Sequence, residues 1–298
     1  MLLGLLLTGA LIAFRQGGAG ATVFVAVCVQ AMPFLVLGVL ISGAIAAFAP
    51  ARLLRKVLPR NETAAVGVAG LAGIALPGCE CASVPIARRL MRQGVPPSVA
   101  LAFLLAAPAV NPVVLVATAV AFPTAPAMVL ARFLGSLLTS FAVGWLWSRT
   151  GRTEWTADRS GHDHGSGWAL FAEAARADLA SAGGFLVAGA LAAATLNVLV
   201  PPAWFTAVGG NVAASVVVLA VLAVVLALCS EADAFVAAAM PALPMLARLV
   251  FLVVGPAVDV KLMVLQAGTF GRAFVARFAP MTFLVAVASA VAVGLVVL

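Results

Sequence analysis

Long runs of apolar residues, separated by short polar or basic stretches, follow one another along most of the chain. Runs of about 20 apolar residues can cross a bilayer as α-helices. The pattern therefore predicts membrane spans over Ala21–Phe48 and Pro126–Trp147, and a shorter N-terminal membrane segment over residues 1–20. Strand-like alternation of apolar and polar positions is absent, so we expect a helical bundle and not a β-barrel.

One apolar segment is too short to span. Thr63–Leu76 has only fourteen residues and ends at Pro77-Gly78, and basic residues lie on both sides of it, at 52–60 and 88–92. Two basic clusters around a short segment indicate a re-entrant hairpin that enters from the cytoplasm. The tip of this hairpin would lie near the middle of the membrane.

A further segment, Pro96–Phe122, is long enough to span but contains Pro108 and Pro112. Proline removes a backbone donor and clashes with the preceding helical turn. We therefore predict a broken helix here, with its break at Asn111.

Composition and charge agree with this picture. Hydrophobic residues make up 64% of the chain and charged residues 9%, whereas soluble domains have about 25% charged residues. The net charge is +7, but the arginines cluster in short loops, as the positive-inside rule describes. We expect a multi-pass protein of a bacterial inner membrane, with the lipid bilayer as a partner and no nucleic-acid partner.

The second half of the chain repeats the first at an offset of 148 residues, which becomes 145 further along, where Ala131-Arg132-Phe133 matches Ala276-Arg277-Phe278. The matching positions are Cys81 and Cys229, Pro96 and Pro244, Phe103 and Phe251, Pro108-Ala-Val and Pro256-Ala-Val, and Asn111 and Asp259. The proposed division is repeat one at 21–148, a polar cytoplasmic linker at 149–170, and repeat two at 171–298. The amphipathic segment Trp168–Asp178 is expected to lie along the membrane interface.

The two repeats are predicted to have inverted topology. Each would hold a span, a hairpin, a broken span and another span, which gives an odd number of crossings. The loop after the first span is basic in repeat one, but its counterpart Pro201–Asn211 has no basic residue. Inverted repeats with discontinuous helices are an architecture of secondary transporters.

Two polar stretches, Cys79-Glu80-Cys81 and Cys229–Asp233, occupy the predicted hairpin tips. Intramembrane acids cost at least about 2.5 kcal/mol each on insertion scales, so they indicate a transport pathway. By the alignment, both stretches and the helix breaks would face one cavity. The candidate transport site comprises Cys79, Glu80, Cys81, Ser83, Asn111, Cys229, Ser230, Glu231, Asp233, Asp259 and Lys261.

Sulfur and carboxylate donors together suit borderline or soft ions such as Zn²⁺, Co²⁺ and Cu⁺, or a trivalent metalloid, but not Ca²⁺ or Mg²⁺. The candidate ligands are Cys79, Cys81, Cys229, Glu231 and Asp233. The ion would be the substrate, and no bound cofactor is expected. Cys79 and Cys81 lie too close in sequence for an unstrained disulfide.

Simpler interpretations exist for several of these residues. The acids of the second tip, Glu231 and Asp233, could pair with Arg248 or Lys261. Lys261 could instead neutralise Asp259 or extend toward the interface. Cys28 is expected to be a packing residue, and the linker residues His162 and His164 could bind metal or simply be polar.

The motifs resemble those of the predicted permease family of the ArsP/DUF318 (UPF0718) type, which includes organoarsenical efflux permeases. The resemblance covers about residues 20–298. It rests on Pro77–Pro85, Ala107–Pro112, Cys229–Phe235 and Gly255–Lys261. It implies a polytopic inner-membrane permease in which Cys79, Cys81 and Cys229 could coordinate a trivalent organoarsenical.

The sequence therefore favours a secondary transporter for a transition-metal ion or a trivalent (organo)arsenical, and not an enzyme. No Walker A motif is present, so the chain by itself is not an ATPase. The alternative is a transmembrane thiol–disulfide oxidoreductase that uses Cys81 and Cys229, although this activity would leave the acids unexplained. A third interpretation is a membrane scaffold subunit. We expect a homo-oligomer or an accessory subunit as a partner.

Overall fold

A computed structural model describes residues 19–48, 59, 61–75, 80–150, 167–199 and 211–298, and these residues form helices and connecting turns with no strand. The helices are α1 (Ala19–Phe48), α2 (Glu62–Ala72), α3 (Glu80–Arg92), α4 (Pro97–Ala106), α5 (Pro112–Ala121), α6 (Ala127–Thr150), α7 (Gly167–Leu199), α8 (Val212–Leu226), α9 (Ala232–Ala238), α10 (Met245–Ala257), α11 (Val260–Phe270) and α12 (Arg272–Val297). A 3₁₀ turn, Gly73–Ala75, follows α2. The predicted all-α membrane fold is confirmed.

Four helical segments within the described ranges are long and apolar enough to cross a membrane. They are Gly20–Ala47, Ala127–Thr150, Met245–Phe270 and Arg272–Val297. Leu and Val side chains are exposed on the outer faces of Gly20–Ala47, Ala127–Thr150 and Arg272–Val297, as expected for surfaces that contact lipid tails, whereas Met245–Phe270 is mostly buried inside the bundle. A buried aromatic group, in which Trp147 contacts Phe274 and Phe278, joins α6 to α12.

Both predicted helix breaks are present. Helix α4 ends at Ala106, and α5 begins after Asn111, whose side chain accepts a hydrogen bond from the Val114 backbone amide at 2.9 Å. Helix α10 ends at Ala257, and α11 begins after Asp259, which caps the Leu262 amide in the same way. These caps satisfy backbone amides that a helix start leaves without a partner.

Helix packing follows corresponding neighbours in the two halves of the chain. In the first half α4 packs between α2 and α6, and in the second half α10 packs between α8 and α12. Helix α1 lies against α7, and α6 lies against α12. These neighbours support the duplication, while the inversion of the repeats and the re-entrant hairpins stay predictions.

Two glycines allow close contact between helices that carry predicted site residues. A Cβ on Gly38 of α1 would lie 2.6 Å from the Ala82 Cα of α3, and a Cβ on Gly189 of α7 would lie 3.0 Å from the Lys261 Cα of α11. Gly38 therefore leaves no room for a side chain, and at Gly189 a methyl group would press on the Lys261 backbone. The two glycines hold α1 against α3 and α7 against α11, beside the residues that form the candidate site.

The segment Trp168–Asp178 is the first part of the continuous helix α7, and its predicted position along the membrane interface stays a prediction. Asp178 is buried and accepts a 2.7 Å hydrogen bond from Ser42 Oγ, and its carboxylate lies 3.6 Å from Arg89 Nη2. These partners compensate its charge, so the helix packs against α1 and α3 with Asp178 inside. Residues 1–18, Cys79 and the linker histidines lie outside the described residues.

Candidate functional site

The first turn of α3 carries Glu80 and Cys81, and both side chains are completely buried. Ser83 is also buried, and its hydroxyl donates to the Glu80 carbonyl oxygen at 2.9 Å. The turn thus places a carboxylate and a thiol at the start of a helix in the interior. Glu80 is consequently not exposed to lipid.

Lys261, in the first turn of α11, is the positive centre of this cluster. Its Nζ donates to Glu80 Oε1 at 2.5 Å, and it lies 3.9 Å from Asp259 Oδ2 and 3.9 Å from Cys229 Sγ. Cys81 is within electrostatic range of the same ammonium group. Lys261 therefore connects the thiol-bearing stretches of the two halves of the chain.

The hydrogen bonding of this cluster is incomplete. Glu80, Asp259 and Lys261 are fully buried. One oxygen of each carboxylate, Glu80 Oε2 and Asp259 Oδ2, nevertheless receives no hydrogen bond. Buried polar groups in folded proteins are usually hydrogen-bonded, and leaving one unpaired costs about 1–3 kcal/mol. The two open oxygen positions indicate that the cluster can accept a ligand, a water or a proton.

Arg132 of α6 forms a second buried network with Asp233 of α9. Its Nη2 donates to both carboxylate oxygens of Asp233, at 2.9 and 3.0 Å, and to the Ser230 carbonyl at 2.8 Å. Its Nη1 donates to Thr118 Oγ1 at 2.7 Å. The network fixes α9 to α5 and α6.

Glu231 lies between these two networks. Neither of its carboxylate oxygens has a hydrogen-bond partner, and the residue is within electrostatic range of Glu80, Arg132 and Lys261. Its side chain is the one carboxylate of the second tip without a direct cationic partner among the described residues. It therefore remains available for a ligand.

The structure brings most of the predicted site residues together. Asn111 and Asp259 act as helix caps at the two breaks, and Ser230 contributes its backbone carbonyl to the Arg132 network. The suggested pairing of Asp233 with Arg248 or Lys261 is wrong, because Arg132 is its partner. Sequence reasoning missed this role, although an arginine inside an apolar span with a counterpart at Arg277 was a usable signal.

The described residues contain three free cysteines, Cys28, Cys81 and Cys229. Within the same part of the chain, no three His, Cys, Asp or Glu side chains are grouped closely enough to hold a metal ion. Cys79 belongs to the predicted ligand set but is not among the described residues, so that set stays a prediction. The described part offers two thiols around a lysine.

Comparison with known proteins identifies the family. Residues 19–296 match the family model described as a predicted permease. The UPF0718 protein YcgR of Bacillus subtilis is 34% identical over 275 residues, which cover 89% of this chain and 93% of that protein.

A putative two-component membrane permease complex subunit of Streptococcus mutans is 30% identical over 282 residues, which cover 91% of this chain and 94% of that protein. No solved structure matches the chain significantly. The family match extends over both breaks and both thiol-bearing stretches, and the candidate spans agree with it. The chain therefore belongs to the predicted permease family and is a multi-pass protein of a bacterial membrane.

Proposed function

We propose that this permease carries a thiophilic substrate, either a transition-metal ion or a trivalent (organo)arsenical, through the cluster of Cys81, Cys229, Glu80 and Lys261. The observation that supports this proposal best is that Lys261 joins the two halves of the chain: its Nζ donates to Glu80, next to the buried Cys81, and lies 3.9 Å from the buried Cys229 thiol. Buried carboxylate oxygens without donors lie in the same cluster. Ionisable groups inside a membrane protein usually mark a substrate pathway.

Of the two substrate classes, we favour the trivalent arsenical. The Lys261 ammonium group lies 3.9 Å from Cys229 Sγ and would repel a divalent cation bound to that sulfur. A neutral organoarsenic dihydroxide experiences no such repulsion. Its arsenic can form two As–S bonds with two thiols as two As–O bonds break and two waters leave, and hydrolysis reverses the reaction and releases the substrate.

Asp233, in this proposal, holds the second tip in place through Arg132 and does not contact substrate. Glu231 and Glu80 face the pathway as carboxylates. Exchange with protons would drive transport, because the membrane potential does no work on a neutral arsenical that moves alone, and no nucleotide-binding motif is present. The protein would act as a transporter and not as an enzyme.

A partner protein is also part of the proposal. The Streptococcus mutans relative is named as a subunit of a two-component membrane permease complex. We propose that this permease likewise works with an accessory subunit or as a homo-oligomer in the bacterial inner membrane.

The experiment measures accumulation of phenylarsenite, arsenite and Zn²⁺ in cells with and without the protein. We expect accumulation of one of these substrates to change, and Cys81→Ser or Cys229→Ser to abolish the change. Cys28→Ser is the matched control, because Cys28 lies on α1 away from the polar cluster. Unchanged transport in the Cys81→Ser/Cys229→Ser double variant would refute the proposed site.

The two buried thiols also allow the oxidoreductase alternative, and the acids separate it from transport. Glu231→Gln should reduce transport and leave thiol exchange intact. A Cys81–Cys229 disulfide that forms during turnover, together with full activity of Glu231→Gln, would favour the oxidoreductase.

A further inference from the structure

An apolar cavity of about 390 Å³ lies in the second half of the chain, apart from the polar cluster. Its walls come from four places: α8, the break between α10 and α11, the first turns of α11, and the first half of α12. Representative wall residues are Val221, Val225, Val258, Met263, Ala279 and Phe283. No side chain that lines it carries a nitrogen or an oxygen.

The cavity lies within segments that are long and apolar enough to cross the membrane. Val258 is at the middle of the candidate span Met245–Phe270, and Ala279 lies within the candidate span Arg272–Val297. Val221, on the α8 wall, is 46% exposed, so the cavity opens to the outer surface of the bundle. At this depth, the medium outside the protein is lipid tails.

The corresponding seam in the first half of the chain is closed by an aromatic ring. Gly67 of α2 packs on Phe141 of α6, and a Cβ on Gly67 would lie 2.6 Å from the Phe141 ring. The residue 145 positions after Phe141 is Ala286, and α8 contains no glycine. Helix α12 therefore carries a small, completely buried alanine where α6 carries that ring.

We propose that this cavity binds an acyl chain of a bilayer lipid. Water is disfavoured there, because the lining offers it no polar partner. A polar thiophilic substrate is disfavoured for the same reason, whereas a flexible hydrocarbon chain matches both the lining and the depth. This inference goes beyond the proposed function and does not depend on it.

The bound chain would touch the helix break directly. Val258 lines the cavity and immediately precedes Asp259, the cap of α11, and Met263 lies two residues after Lys261. An acyl chain in the cavity would therefore contact the break from the lipid side.

The test uses the full-length protein in nanodiscs that contain phosphatidylcholine with a mid-chain diazirine, and peptide mass mapping after irradiation. We expect labelling concentrated on Met263 and on 275–283, in excess of the labelling of Leu284, which faces outward on the same helix. Ala279→Phe, which fills the cavity, should remove this excess.

Leu134→Phe is the matched control, because it places the same side chain 145 residues earlier, on the lipid-facing side of α6. It should leave the labelling unchanged. If Ala279→Phe does not fold, Ala276→Phe at the exposed rim of the cavity replaces it and should also reduce the excess. Labelling no greater than at Leu284, or labelling that persists in the filled variant, would refute the proposal. Displacement of the label by phenylarsenite would also refute it, because substrate would then be the occupant.

Discussion

The two buried ion pairs of the site differ in how completely their groups are bonded. Arg132 donates to both oxygens of Asp233, to Thr118 and to the Ser230 carbonyl, and only its Nε lacks an acceptor. Lys261 bonds one oxygen of Glu80, while the other oxygen is unpaired beside thiols.

A satisfied buried network rigidifies a structure, whereas an incompletely bonded cluster retains capacity for a ligand. The difference assigns Arg132–Asp233 to the scaffold and Glu80–Lys261 to the transport pathway. Stability and transport should therefore respond differently when each pair is changed.

The largest expected effect comes from removing the scaffold cation. Arg132→Met leaves Asp233 buried without its partner and should lower the free energy of unfolding by about 3–5 kcal/mol. Denaturant unfolding in detergent measures this change. Arg277→Met is the control, because Arg277 aligns with Arg132 at the offset of 145 but is exposed. An equal loss in both variants would contradict the assignment.

Replacing both members of each ion pair by apolar residues separates a role in stability from a role in transport. Apolar replacement of a buried ion pair is often neutral for stability. Arg132→Met/Asp233→Leu should therefore recover most of the stability lost in the single variant and keep transport. Lys261→Met/Glu80→Met should fold equally well but lose transport. If this second double variant still transports substrate, the Glu80–Lys261 pair also has only a structural role. Unfolding and arsenical uptake, measured on the same preparations, provide the two readouts.

A smaller effect is expected where α7 approaches the transport pair. Gly189→Ala places a methyl group 3.0 Å from the Lys261 backbone and should cost about 1–3 kcal/mol through overpacking. Gly184→Ala on the same helix meets nothing within 4 Å and should be neutral or stabilising by up to about 1 kcal/mol. Thermal unfolding of the two variants side by side checks this difference. Equal melting temperatures would contradict the close approach.

The smallest effect on stability is expected at Glu231. Glu231→Gln removes a charge that has no direct partner, so the free energy of unfolding should change by less than about 1 kcal/mol. Transport should nevertheless fall, because the carboxylate faces the pathway. If the Glu231→Gln variant takes up substrate at the wild-type rate, Glu231 is not part of the transport site.

Local chemistry made much of the fold predictable from the sequence. Pro108 and Pro112 marked the first helix break, because proline lacks a backbone donor and disrupts a helix interior. The second break was marked by the polar Asp259, which aligns with Asn111, since Pro256 lies inside α10. The offset between Cys81 and Cys229 likewise indicated which stretches belong to one cluster.

The ion pairs could not be predicted in the same way. Arg132 and Asp233 are 101 residues apart, and Lys261 and Glu80 are 181 residues apart. The repeat does not help, because the residues that align with Glu80 and Lys261 are Leu228 and Val113. Each pair is therefore specific to one side of the pseudo-symmetric bundle, and only the packed helices show which charges meet.

The most direct test of the proposed thiol site is the binding of phenylarsenite to the purified, reduced protein, with protein-bound arsenic counted by elemental analysis. We expect one arsenic per chain, lost in Cys81→Ser and in Cys229→Ser and retained in Cys28→Ser. Stoichiometric binding that survives in the Cys81→Ser/Cys229→Ser double variant would contradict the central claim that these two thiols hold the substrate.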